Sequence, residues 1–184
     1  ASRIVETASL ESPISAPMKA FLEEKLWLAL FWSRPLQEVW RRELRASNWK
    51  WLQLQIPYGW VVDPTPVPHH AVIPGLGIQD FTELSGFSQR ERKLVLKISG
   101  FSDQAWGSRG VHMGMDLSQA DWSDAMRKAI DSFPHHPYIL QEFHKGRVVE
   151  HPFWNENKEQ MEALKGRVRL CPYYFVPGTK EGTA

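Results

Sequence analysis

A lysine inside an apolar run, followed by a loop rich in glycine and serine, is the arrangement in this chain best suited to chemistry. Lys97 lies within Leu94–Ile98, and Gly100, Gly107 and Gly110 follow, with Ser99, Ser102 and Ser108 among them. Glycines let a backbone curl until successive N–H groups point at one anion. A lysine on the flanking strand adds a point charge for that anion. Together they make the elements of a phosphate clamp. The loop does not close with Gly-Lys-Ser/Thr, so it is not a Walker A loop. Gly107-Ser108-Arg109-Gly110 lacks the G-x-G-x-x-G spacing of a dinucleotide fingerprint.

Other reactive residue types do not form competing sets. His69-His70 is an adjacent pair, and adjacent residues on an extended chain point to opposite faces. His135-His136 stands in a turn before Pro137, while His112, His144 and His151 are scattered. No spacing argues for zinc. The sequence holds no G-x-S-x-G motif. Cys171 is the single cysteine, read as a buried free thiol, so no internal disulfide framework forms and a cytoplasmic setting is the simplest expectation.

These residues need a scaffold. The spacing predicts a helix from about Pro17 to Trp32, whose last seven residues are apolar all round. A second helix is capped by Ser33 with Pro35 in its first turn, and a third follows Ser47 through Leu54. Prolines at 57, 64, 66, 68 and 74 preclude a long ladder, leaving a connecting segment with a short strand at Gly59 to Val62. Strands are predicted at Lys93 to Ser99 and Val111 to Met115. Ser118 caps a helix to Ser132 that buries Trp122, Met126, Ala129 and Ile130. Further strands are predicted at Tyr138 to His144, Arg147 to Phe153 and Arg167 to Val176, with a short helix over Asn157 to Leu164. The order is α+β: an antiparallel sheet with helices on one face, preceded by a helical segment. The divisions are 1–55 (arm and helical segment), 56–91 (Pro/Gly-rich connection) and 92–184 (the α+β subdomain).

The 184 residues are 42% hydrophobic and 23% charged, a globular balance that excludes a wholly disordered chain. A net charge of +1 gives no electrostatic footprint for nucleic acid. The longest apolar run is seven residues, Leu26 to Trp32, far short of the roughly 20 of a membrane span. Five of nine tryptophans fall between Trp27 and Trp51, a bias that concerns packing or an interface, such as a homo-oligomer.

Val95-Leu96-Lys97-Ile98, then Gly107-Ser108-Arg109-Gly110-Val111, a helix, and Tyr138-Ile139-Leu140-Gln141-Glu142-Phe143 form an ordered series. This series resembles the ATP-grasp superfamily over residues 92–150. There a V-L-K-P strand leads to a glycine loop ending G-x-G-V, then a helix and a V-I/L-x-E-x-F/Y strand. The resemblance implies an ATP-binding domain of a carboxylate–amine ligase that acts through an acylphosphate. It implies that Lys97 contacts the phosphates and that the loop from Gly100 to Gly110 folds over them. Gln141, Glu142 and Phe143 would border the adenine, and Arg169 would reach a phosphate or an acidic substrate. It implies Mg²⁺ as well, held in the family by late acidic residues and an asparagine. After Cys171 the only acidic residue is Glu181, and Glu156-Asn157 precedes the last predicted strand. Further chain would then supply the ligands. The alternative is a degenerate ATP-grasp-like module that acts in protein–protein interaction through its tryptophan-rich helices.

Overall fold

In the computed structural model the described residues are 20–99, 101–105 and 107–168. The described residues form two compact units, one within residues 20–144 and one within residues 145–168.

The larger unit is built on four antiparallel strands in the order β1 (Gly59–Val61), β4 (Tyr138–Glu142), β2 (Leu94–Ile98), β3 (Val111–Met113). The two central strands read LVLKI and YILQE and are buried over most of their length. Such near-continuous apolar runs mark strands covered on both faces. One face carries Trp60, Leu94, Leu96, Ile98, Tyr138 and Leu140 into the main core. Against it packs α4 (Gln119–Asp131), with Trp122, Ala125, Met126 and Ala129 on its buried stripe. The Ser118 hydroxyl accepts the Asp121 N–H and starts this helix as predicted.

The opposite face is covered too. A methyl group built on Gly59 would stand 3.7 Å from the Ala29 Cα, so α1 (Leu26–Leu30) lies directly over β1. Helices therefore flank the sheet on both sides, where the sequence pattern placed them on one. The cause lies in the strands, whose Val95 and Ile139 point to this second face and are buried on it.

The long first helix is also interrupted. A 3₁₀ turn (Ala20–Glu23) precedes α1, and the Glu24 carboxylate accepts the Leu26 N–H at 3.0 Å, restarting the helix two residues on. Ser33 makes no cap bond. A 3₁₀ turn (Arg34–Leu36) carries Pro35 into α2 (Gln37–Glu43), and α3 (Ala46–Gln55) follows. Trp40 and Trp49 gather around Phe31, whose ring centroid lies 4.8 Å from Trp49 and 6.2 Å from Trp40.

Residues 56–91 do more than connect. Ile73, Ile78, Phe81 and Leu84 belong to the core. Asp80 caps the 3₁₀ helix Phe81–Gly86 by accepting the Thr82 N–H, and the Glu83 carboxylate accepts the Asp80 N–H in return.

In the smaller unit, β5 (Val148–Asn155) pairs antiparallel with β6 (Gln160–Arg167), from Val148 opposite Arg167 to Asn155 opposite Gln160. The sequence pattern predicted a helix over Asn157 to Leu164. A strand is found there because Asn155 folds the chain back. Its side-chain oxygen accepts the N–H groups of Asn157 and Lys158, and Glu159 takes a left-handed φ of 51°. The strand expected over Arg167 to Val176, with Cys171, falls almost wholly outside the described residues.

Candidate functional site

The antiparallel register of β2 and β4 brings the two ends of the sequence pattern together. Lys97 stands opposite Ile139, and Gln141 stands opposite Val95. Lys97 and Gln141 are thus diagonal neighbours on one face, within reach of long side chains. The Lys97 Nζ donates to Gln141 Oε1 at 2.7 Å, and Gln141 Nε2 donates to the Pro57 carbonyl at 3.3 Å. Gln141 is 4% exposed, so this amide fixes the ammonium from a rigid position.

Lys97 is partly buried, and burial pushes its ammonium below the ordinary lysine pKa; the positive charge of Lys25 adds to that shift. Lys25 also donates to the Ala105 carbonyl in the glycine loop, at 3.2 Å. Two lysines therefore approach each other where the loop meets the sheet. Glu24 beside them is buried, and its carboxylate accepts the Ser99 hydroxyl at 2.7 Å and the Leu26 N–H. The sequence pattern did not mark Lys25 as a site residue. Its signal was the charged pair Glu24-Lys25 placed directly before the apolar helix.

The loop is held at its base and open at its tip. The Ser99 and Ser102 hydroxyls accept the Phe101 and Gln104 N–H groups, and the Ile98 N–H donates to the Gly110 carbonyl. Gly107 and Ser108 take consecutive left-handed φ values of 64° and 61°. Among the described residues, no hydrogen bond takes up the N–H groups of Gly107, Ser108 or Gly110. Arg109 donates to the Asp103 carbonyl at 2.9 Å.

Gly110 is required by close approach. A Cβ there would stand 2.2 Å from Ile98 Cγ2 and 2.9 Å from the Gln104 carbonyl oxygen. Gly110→Ala must displace either the loop or β2. The expected result is a loss of about 1–3 kcal/mol by urea unfolding, the usual cost of overpacking. An unchanged midpoint would show that the loop shifts freely.

The resemblance places Gln141, Glu142 and Phe143 beside the adenine as one segment; along it the side chains alternate between the two faces of the sheet. Gln141 faces Lys97. Glu142 is exposed, pairs with Leu94 and lies 3.5 Å from His144 Nε2. The Phe143 N–H donates to the Lys93 carbonyl, extending the ladder by one step. Gly100 and Arg169 lie outside the described residues. Among the described residues, no group of three histidine, cysteine, aspartate or glutamate side chains is placed to hold a metal ion. The described part of the site therefore holds no carboxylate cluster of its own for Mg²⁺.

No described helix is long and apolar enough to cross a membrane. No protein-family model matches the chain, and neither a curated protein nor a solved structure matches it.

Proposed function

We propose that residues 19–144 bind ATP in the manner of an ATP-grasp domain, as part of a carboxylate–amine ligase. The observation that carries this reading is the pair of lysines. Lys97 on β2, held by Gln141 on β4, and Lys25, tied to the loop at Ala105, repel each other in a partly buried place. A polyanion relieves that repulsion and is held by it. The tip N–H groups of Gly107 and Ser108 supply further donors of the kind that cradle phosphate.

The test is calorimetric titration of ATP, ADP and AMP into the purified chain. Affinity is expected to fall in that order as phosphate charge is removed. Binding is also expected to draw a proton onto Lys97 at pH values just below 10.5, the ordinary lysine pKa, because the free site holds that pKa down and the anion raises it. Repeating the titration in buffers of different ionisation enthalpy reads this uptake. Equal affinity for the three nucleotides overturns the phosphate assignment. No heat at millimolar ATP leaves the interaction-module reading, which Trp51 (60% exposed) and Leu54 (82% exposed) on α3 favour.

A further inference from the structure

A cavity of about 490 Å³ opens along the outer side of β1 within the same unit. Its size falls in the range that small ligands occupy. Trp32, Tyr58, Trp60 and Phe81 line it with aromatic surface. Three of these rings lie in series with their planes tilted, Trp32 to Tyr58 at 4.7 Å and Tyr58 to Trp60 at 4.9 Å between centroids. Their indole N–H groups are already engaged. Trp32 Nε1 donates to the Pro57 carbonyl and Trp60 Nε1 to the Pro74 carbonyl. What these rings offer a ligand is therefore mainly apolar surface.

Two opposite charges line the same cavity, Arg34 and Asp63. They do not pair with each other. Arg34 has no side-chain ion pair or hydrogen bond among the described residues, and Asp63 accepts only the Thr65 N–H, through Oδ1. An arginine fork suits a carboxylate, and a carboxylate suits an ammonium.

The strand edge adds a third element. The Glu142 N–H donates to the Tyr58 carbonyl, and the Val62 N–H donates to the Tyr138 carbonyl. In an antiparallel ladder, the alternate residues Gly59 and Val61 then turn their N–H and C=O groups away from β4. β1 ends the sheet; the Val61 carbonyl there accepts the Asp63 N–H at 3.0 Å, which leaves the Gly59 N–H and C=O and the Val61 N–H on the side where both residues line the cavity. The facing wall includes Pro66, Pro68 and Pro74, which bring ring surface and no N–H donor.

We infer that this cavity binds an apolar zwitterion, an α-amino acid with a bulky apolar side chain or a short peptide of such residues. Arg34 takes the carboxylate, Asp63 the ammonium, and the aromatic wall the side chain. The site is separate from the lysine pair and stands whether or not the nucleotide reading holds.

The probes are L-phenylalanine, its N-acetyl and amide derivatives, and the dipeptide phenylalanyl-leucine, each titrated by calorimetry into the full chain without nucleotide. Saturable binding of the free zwitterions is expected, with each blocked derivative about tenfold weaker. Asp63→Asn keeps an oxygen for the Thr65 N–H and is expected to abolish the N-acetyl penalty alone. Arg34→Gln is expected to abolish the amide penalty alone. Far-UV circular dichroism checks that both variants fold. A dipeptide tighter than the amino acid assigns the β1 edge to a peptide backbone; equal affinity assigns the site to the free amino acid. Blocked and free forms binding alike, or no saturation by any probe at millimolar concentration, overturns the inference.

Discussion

Lys97→Met is expected to weaken ATP binding by about 10- to 100-fold while leaving the folded chain almost as stable as before. The first number is the usual worth of a hydrogen bond to a charged group, about 1.5–3 kcal/mol. The second follows from two opposing effects. Methionine removes a desolvated ammonium and its repulsion with Lys25, which favours the folded state. It also strips the buried Gln141 Oε1 of its donor, which costs about 1–3 kcal/mol. The pH dependence separates them. The folded-state pKa of Lys97 is depressed, so between that value and 10.5 the unfolded chain holds the proton more tightly. Stability contributed by this group therefore rises with pH across that window, and the rise is absent in Lys97→Met. Urea unfolding at a series of alkaline pH values reads the difference. An ATP affinity unchanged in the variant removes Lys97 from the site.

Much of the sheet was legible because its signals are local. Leu94–Ile98 and Tyr138–Glu142 are apolar runs of strand length, and Ser118 with Asp121 announces α4 through a single cap. Pairing between strands was harder to read. The four-stranded order β1-β4-β2-β3 joins residues about 80 positions apart, and no local pattern encodes that choice. The hairpin β5–β6 was misread over 157–164 because its turn depends on one asparagine side chain and one left-handed glutamate. In the candidate site, Lys97 and the glycine loop were visible as residue types. The partnership of Lys97 with Gln141 needed the register, and the approach of Lys25 needed α1 to dock across the sheet. The cavity beside β1 had no sequence signal, since Arg34 and Asp63 belong to separate turns that only the fold brings together.

Trp122→Ala is expected to cost about 3–5 kcal/mol, a larger stability loss than either Lys97→Met or Gly110→Ala. Trp122 is fully buried, and its Nε1 donates to the Leu84 carbonyl at 2.8 Å. The indole is thus both filler and clasp: it fills the layer between α4 and the sheet and ties the helix to the 3₁₀ segment Phe81–Gly86. Truncation to alanine opens a cavity and leaves a buried carbonyl without its donor. Trp122→Phe separates the two contributions. It keeps most of the buried ring surface and loses chiefly the hydrogen bond, so a smaller cost of about 1–3 kcal/mol is expected. Set against a total of about 5–15 kcal/mol for a domain of ordinary stability, the alanine variant loses a large share of that total and the phenylalanine variant a smaller one. Urea unfolding followed by far-UV circular dichroism checks both. Equal losses in the two variants would mean that the Leu84 bond, not the packing, carries the effect. The prolines of 56–91 cannot hold that segment to the sheet through a ladder of their own. The Trp122 clasp and the core side chains of Ile73, Ile78 and Phe81 do so instead. That attachment fixes the outer wall of the β1 cavity, so the ligand site proposed there depends on a tryptophan that does not line it.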